Sequence, residues 1–189
     1  MSRSYRVSVR DCQTRIICAE DHVRTQLEIL EVLPPEQMAG LLADELERRG
    51  FVRDGTRATR THNGVTLAVE TTTATVTLAA EGSEQTTIEA ARTDRAYDDE
   101  GPHAKVVREN LKKQLAKDIE RKAGEKTASL QTKVTDRLER EWNDVRQELD
   151  EVVNRATAEA LKRKAAQMGQ IKEMTEDPQS GSLTIVVEV

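Results

Sequence analysis

Aromatic side chains are scarce in this 189-residue chain, which has one Trp, two Tyr and one Phe. Proteins that bind single-stranded nucleic acid stack successive bases on aromatic rings. Four rings spread along the whole chain cannot build such a platform. Nucleic-acid binding therefore ranks low among the functions that the sequence indicates.

Metal ligands and catalytic side chains are also few. Cys12 and Cys18 are the only cysteines, and five residues separate them, which matches no zinc-binding spacing. His22, His62 and His103 are far apart in the sequence, at predicted turns or at a helix start. No nucleophile elbow and no phosphate-binding glycine loop is present. The sequence predicts no metal site, no cofactor and no enzyme activity.

Long hydrophobic runs are absent as well. No apolar stretch approaches the roughly 20 residues that a transmembrane helix needs. The first residues lead directly into an alternating pattern instead of the apolar core of a secretory signal. We therefore expect a cytoplasmic protein with reduced cysteines and no membrane partner.

Helix-forming side chains dominate residues 103–173. This segment has no proline, and its only glycines are Gly124 and Gly169. Lys, Glu, Arg, Gln, Leu and Ala, which lose little freedom in a helix, fill most of it. The segment therefore predicts a long charged helix.

A narrow apolar stripe follows this helix, with one residue per turn and mostly four-residue spacing. Such a stripe suits a seam between two helices and is thinner than the buried face of a globular helix. Trp142 fits either the seam or a partner-binding anchor, and we favour the seam. The predicted interface residues are Leu111, Leu115, Ile119, Leu130, Val134, Leu138, Trp142, Val145 and Leu149.

Charge is arranged in blocks along the same segment. Residues 103–126 carry eight basic and four acidic side chains, whereas residues 136–151 carry three basic and seven acidic ones. Antiparallel packing would bring the blocks together, either in a helical hairpin or in a homodimer of unbroken helices. The sequence favours the homodimer of unbroken helices slightly, because residues 129–133 contain no Gly, Pro, Asn or Asp to turn the chain. The hairpin stays open, and charge runs can also simply solvate a helix face.

Residues 1–100 predict a small α+β head. Residues 4–10 alternate apolar and polar side chains, as a half-buried strand does. Asn63-Gly64 predicts a hairpin turn, and the strands beside it carry one apolar and one threonine-rich face. A helix begins after Pro34 and ends near Gly50. Further strands are predicted at 15–19, 23–30, 51–53, 57–61, 65–71, 74–80 and 85–91, with turns at 21–22 and 81–83 and a loop at 93–101.

The last residues predict one more strand. Pro178 prevents the helix from continuing, and residues 183–189 are nearly all apolar. An unpaired strand of this kind promotes aggregation, so we expect it to pair with the head sheet of its own or a partner chain. The predicted domains are thus a head at 1–100, a coiled-coil-like helical segment at 101–174, and a turn and strand at 175–189.

The arrangement resembles small α+β companion proteins encoded beside bacterial FtsH-type AAA+ ATPases. The resemblance rests on a helix that ends in Arg-Gly-Phe (Arg49 to Phe51), on the strand meander, and on the late helix followed by Asp177-Pro-Gln-Ser-Gly-Ser-Leu-Thr-Ile-Val-Val. It implies an accessory or adaptor role in a multi-protein system. It carries no functional residue over to this chain.

The sequence favours a non-enzymatic scaffold or adaptor that binds proteins through its long helix and its head. One alternative is nucleic-acid or ribosome binding through the basic segment 105–126. Another is a ligand pocket between the threonine-rich sheet face and the helix.

Overall fold

The computed structural model describes residues 4–97, 101–177 and 182–188. These residues form an α+β fold with a five-stranded sheet, two helices and a separate two-stranded sheet. In chain order the elements are β1 (Tyr5–Gln26), α1 (Pro35–Arg48), β2 (Val52–Asp54), β3 (Arg57–His62), β4 (Val65–Glu70), β5 (Thr75–Ala96), α2 (Pro102–Met168), β6 (Gln170–Asp177) and β7 (Ser182–Glu188).

The five-stranded sheet is antiparallel, with strand order β1-β5-β4-β3-β2. Hydroxyl groups meet across β1 and β5 at Ser8 and Thr93 (3.2 Å) and at Thr14 and Thr87 (3.3 Å). Beyond β1, the Leu27 N–H donates to the carbonyl of Ala74 at 2.8 Å, in the same register. β1 therefore lies at one edge of the sheet, with β5 as its strand neighbour among the described residues.

β1 and β5 are longer than the sequence predicts, at 22 residues each. The predicted turn at residues 21–22 is wrong, because the Asp21 carboxylate accepts hydrogen bonds from the His22 N–H (2.9 Å) and the Thr135 hydroxyl (2.6 Å) within extended chain. The predicted turn at 81–83 is wrong as well, because Gly82 serves close packing with α2. A Cβ there would lie 2.7 Å from Val134 Cγ2.

The predicted hairpin turn between β3 and β4 is confirmed. Asn63 and Gly64 both have positive φ, at 49° and 74°, as a two-residue hairpin loop of this type requires. Val65, Leu67 and Val69 are buried on one face of β4. Thr66 points to the other face, where its hydroxyl contacts that of Thr61 at 3.2 Å. The predicted apolar and threonine-rich faces are thus both present.

α2 is a single helix of 67 residues. The helical hairpin that the sequence left open is therefore not formed. Gly124 lies inside the helix with open space around its Cα, so the interruption at residues 122–127 lowers helix propensity without turning the chain.

The chain contains two compact units, one from the described parts of Met1–Glu20 and Glu81–Val134, the other from those of Asp21–Ala80 and Thr135–Val189. In the first unit the apolar stripe of α2 packs on β1 and β5. The two clusters there comprise Val7, Ala96, Ala104 and Leu111, and Ile88, Ala90, Leu115, Ile119 and Ala123.

In the second unit α1 packs on α2. This cluster comprises Leu33, Met38, Leu41, Ala156 and Ala160. The predicted α1 is confirmed: it begins just after Pro34 and buries Leu42 and Leu46 completely. Phe51 follows the helix and is buried, and its N–H donates to the Leu46 carbonyl at 3.1 Å.

The C-terminal strand pairs differently from the sequence expectation. α2 ends at Met168, and β6 follows immediately where more helix was predicted. β7 pairs with β6 in an antiparallel sheet of two strands instead of joining the head sheet. Gly169 allows the end of β7 to lie close to the start of β6, because a Cβ at this position would lie 2.1 Å from the Glu188 carbonyl oxygen.

Gly82→Ala is expected to destabilise the protein. The added methyl group would lie 2.7 Å from Val134 Cγ2 and 3.3 Å from Leu130 Cδ1, so α2 or the strand must shift. Overpacking of this kind costs about 1–3 kcal/mol. Urea unfolding measures the change.

Gly124→Ala is the matched control. Its new methyl group would meet open space in a helix, where alanine is favoured by roughly 0.5–1 kcal/mol. If Gly82→Ala were as stable as Gly124→Ala, the close approach of α2 to β5 would be wrong.

Candidate interaction site

Arg60 on β3 joins the sheet to the acidic part of α2. Its guanidinium donates to both carboxylate oxygens of Glu148, at 2.8 and 2.5 Å, and to the Arg49 carbonyl at 3.1 Å. Its charged carbon also lies 4.4 Å from the centre of the Phe51 ring. The hydrogen bonds from Arg60 lower the pKa of Glu148, and this carboxylate in turn raises the pKa of Arg60.

Glu45 on α1 is the most deeply buried charged side chain among the described residues, with 3% exposure. Its carboxylate pairs with Arg48 and Arg49, each at 3.3 Å, and with Arg155 of α2 at 3.6 Å. Arg49 also pairs with Glu151 of α2 at 3.1 Å. This network attaches α1 to α2 by charge as well as by apolar packing.

Glu141 of α2 is held by the β3–β4 turn. Its carboxylate accepts a hydrogen bond from Asn63 Nδ2 at 2.7 Å and contacts His62 Nδ1 at 3.2 Å. The Asn63 bond is the main cause that lowers the pKa of Glu141. His62 thus contacts a carboxylate of α2, and within the described residues it belongs to no group that could hold a metal ion.

The first unit uses the same kind of contact. Arg15 of β1 donates to Glu120 at 2.6 and 3.1 Å, and Arg92 of β5 donates to Asp118 at 2.5 and 2.9 Å. Sheet arginines therefore pair with acidic residues of α2. Five exposed cations within residues 102–117 of α2 make no ion pair among the described residues; they are Lys105, Arg108, Lys112, Lys113 and Lys117.

The charge pairing predicted between the two blocks of α2 is replaced by these contacts. Glu141 and Glu148, which the sequence places opposite lysines of a second helical segment, bind His62, Asn63 and Arg60 of the sheet. Arg60 lies 88 residues before Glu148 in the sequence, so charge counting along α2 alone misses this pair.

No group of three or more His, Cys, Asp or Glu that could hold a metal ion occurs in the described parts of the chain. Cys12 and Cys18 are exposed free thiols. In the described residues, the apolar face of β4 is the buried one, so the ligand pocket predicted between the threonine-rich face and the helix is not formed there. Within the described residues, no helix is both long and apolar enough to cross a membrane.

The predicted interface residues are almost all buried inside the chain itself. The sequence analysis predicts that the stripe is too narrow to be the buried face of a globular helix. In the first unit, however, α2 covers only β1 and β5, which offer an equally narrow surface. Trp142 is the exception, because it is only half-buried. The eight buried residues are Leu111, Leu115, Ile119, Leu130, Val134, Leu138, Val145 and Leu149, all exposed by 8% or less.

Trp142 lies in a groove of about 670 Å³ between α2 and the end of β1. Leu27, Leu149 and Val153 complete its apolar surface. Its polar lining consists of Thr25, Gln26, Glu28, Arg146, Asp150 and Asn154. β5 contributes no residue to this lining, so the groove lies along the outer side of β1.

Three charged side chains surround the apolar part of this groove. Glu28, Arg146 and Asp150 are exposed and form no ion pair within the described part of the chain. By contrast, Glu148 and Glu151 on the same helix are paired with arginines. An apolar groove edged by available charges can bind a protein segment through an aromatic anchor.

The sequence indicates only one side of this groove. Trp142 is noticeable as the single Trp on the stripe, but its neighbours at residues 25–28 lie more than a hundred residues earlier. The alternation of Thr25 and Leu27 predicts which side of a strand they occupy. It does not reveal that α2 stops short of covering them.

In a comparison with known protein families, the chain matches the FtsH ternary system domain X5 over residues 1–189. The chain belongs to this family. No curated protein and no solved structure matches it. Membership of the X5 family agrees with the resemblance to companion proteins of FtsH-type systems. The family match covers the grooved second unit as well as the basic segment of the first.

Glu148→Gln is expected to lower the free energy of unfolding by about 1–3 kcal/mol at neutral pH, since the partly buried Arg60 loses its charged partner. The lowered pKa of Glu148 means that its contribution exists above the unfolded-state pKa and disappears as pH falls through the folded-state pKa. The difference between the two proteins should therefore shrink below the ordinary glutamate range, about pH 4.3.

Urea unfolding at neutral pH and at about pH 3 measures this effect. The control is Glu109→Gln, an exposed glutamate of α2 with no ion pair among the described residues. A Glu148→Gln deficit that stayed constant with pH would contradict the charge pairing.

Leu138→Ala tests whether the stripe is internal core or a seam between subunits. Leu138 is 2% exposed within one chain. Removal of such a side chain costs about 2–5 kcal/mol. The urea midpoint of unfolding should be independent of protein concentration for the unaltered chain and for Leu138→Ala. A midpoint that rises steadily with concentration would instead place a subunit seam at this stripe.

Proposed function

We propose that the chain is a non-enzymatic adaptor of an FtsH-type AAA+ system and acts by binding protein partners. The family match over residues 1–189 supports the link to such a system. The Trp142 groove supports protein binding, since it combines a half-buried aromatic ring with available charges. This groove is the observation that carries the proposal.

The geometry favours an adaptor over an enzyme. The shifted pKa values of Glu141, Glu148 and Asp118 all come from hydrogen bonds to Asn63 or to arginines that attach sheet to helix. None of these groups lines the Trp142 groove. Catalytic sites instead concentrate perturbed groups in a cleft.

Self-association is a separate matter. The eight buried stripe residues already pack inside one chain, so a homodimer would have to use exposed surfaces of α2 or of the sheet. The adaptor proposal does not require a homodimer.

Nucleic-acid binding is the second candidate, and one observation favours it. Lys105, Arg108, Lys112, Lys113 and Lys117 lie exposed within three turns or so of α2, without ion pairs in the described residues. An acidic protein surface would satisfy the same cations. The adaptor is preferred because the chain has few aromatic rings for base stacking.

Trp142→Ala is expected to weaken binding to the FtsH-type ATPase of the same system at least tenfold. Truncation of an aromatic anchor in a groove typically costs about 2 kcal/mol or more of binding free energy. Isothermal titration with the purified ATPase measures the affinity. Asn143→Ala, at the neighbouring exposed position of α2, is the matched control and should bind normally.

Two results would contradict the adaptor role. One is the absence of any complex with the ATPase. The other is tight binding of a single-stranded oligonucleotide that falls steeply with salt and is lost on charge reversal at Lys112, Lys113 and Lys117, which would establish the second candidate.

A further inference from the structure

The outer edge of β1 beside the Trp142 groove has backbone groups available for another strand. Leu27 donates its N–H to Ala74, so the odd-numbered residues at this end of β1 point their backbone groups toward β5. In an antiparallel pair the residues between them point theirs away. The N–H and C=O groups of Arg24 and Gln26 therefore face outward, where the described residues place no strand.

At His22, two residues before Arg24, the outward backbone N–H of the same edge is already hydrogen-bonded. The outward N–H of His22 donates to the carboxylate of Asp21 at 2.9 Å. Such local contacts protect an edge strand from pairing with other chains. The positions before Arg24 and Gln26 are Val23 and Thr25, and neither makes this contact in the described structure. The open part of the edge thus coincides with the groove.

We infer that an extended segment of a partner protein adds to β1 at Arg24 and Gln26 and inserts an apolar side chain into the Trp142 groove. Peptides that add to a sheet edge gain affinity from backbone hydrogen bonds and specificity from pockets for alternate side chains. This inference deepens the proposed function, because it states how the adaptor would hold its partner.

The geometry determines which side chain of the segment enters the groove. Residues that lie directly opposite each other in neighbouring strands share a face. The residues opposite Arg24 and Gln26 would therefore point away from α2. The residue between them, opposite Thr25, would point toward Trp142, Leu149 and Val153.

The charges at the groove specify the chemistry of the segment. Glu28 and Asp150 carry two carboxylates against the single guanidinium of Arg146, and none of the three is paired within the described residues. A segment with lysine or arginine two positions from its apolar anchor would present these cations on the same face as the anchor. The preferred partner segment is therefore extended, apolar at its centre and basic at its flanks.

A capped synthetic heptapeptide provides the direct probe. It carries phenylalanine at its centre, lysine two positions away on either side and threonine elsewhere. Trp142 is the only tryptophan of the chain, so its fluorescence reports occupation of the groove. Amide hydrogen exchange, followed by NMR, reports protection of the Arg24 and Gln26 N–H groups.

Two altered peptides separate the contributions. N-methylation of the two threonines beside the phenylalanine removes the donors that would pair with β1 and leaves every side chain in place. Replacement of both lysines by glutamate reverses the charge. We expect each change to weaken binding at least tenfold. The first removes hydrogen bonds, and the second brings glutamates close to the carboxylates of Glu28 and Asp150, which repel them.

Variants of the chain test the same contact from the other side. Arg24→Pro removes the outward N–H at a sheet edge, where proline is tolerated because no bond to β5 is lost. Arg24→Ala keeps that N–H and is the matched control. The Pro variant should bind the heptapeptide and the FtsH-type ATPase at least tenfold more weakly, whereas the Ala variant should bind within about twofold of the unaltered chain. If the Pro variant fails to fold, the N-methylated peptide tests the same hydrogen bonds with the unaltered chain.

The outcomes distinguish this inference from the adaptor role. A complex with the ATPase that leaves Arg24 and Gln26 unprotected and tolerates Arg24→Pro would overturn the inference and leave the adaptor role standing. Heptapeptide binding that depends on its N–H groups, without any ATPase complex, would support the groove and overturn the assignment of the ATPase as partner. Equal binding of the parent and N-methylated peptides, or no peptide binding together with no ATPase complex, would overturn the strand addition.

Discussion

The packing of one apolar residue per turn of α2 against the sheet is the interaction on which the rest of the structure depends. Ile119, Val134 and Leu138 are each at most 2% exposed on this stripe. An isolated helix gains little from propensity alone, so this burial is what holds α2 in place. Gly82 shows how close the approach is, because even a methyl group there would collide with Val134.

The charges of the chain follow from that packing. Once α2 lies on the sheet, its acidic residues face arginines of β1, β3 and β5, as in the pairs Arg15–Glu120, Arg60–Glu148 and Arg92–Asp118. Among the basic residues of α2, Lys112, Lys113 and Lys117 are exposed, whereas Lys122 donates to the Glu89 carbonyl and Arg155 pairs with Glu45. Ion pairs between sheet arginines and carboxylates of α2 thus accompany the apolar packing.

The Trp142 groove arises where this packing stops. α2 covers the inner part of the sheet, but beside Thr25 and Leu27 it leaves an apolar strip next to an open strand edge. A covered sheet with one accessible edge is well suited to hold an extended segment of another protein. This feature is the structural basis of the adaptor function that we propose for this chain of the FtsH ternary system domain X5 family.

Local features could be predicted from the sequence: α1 after Pro34, the Asn63-Gly64 turn, the alternating faces of β4 and the long helix over residues 103–168, which contain no proline. Each follows from backbone preference or from periodicity within one segment. Tertiary contacts were needed to establish that β1 and β5 continue through their predicted turns, that β7 pairs with β6, and that the stripe of α2 is internal core. These outcomes depend on contacts between residues far apart in the chain, such as Gly82 with Val134 and Gly169 with Glu188, which no local pattern contains.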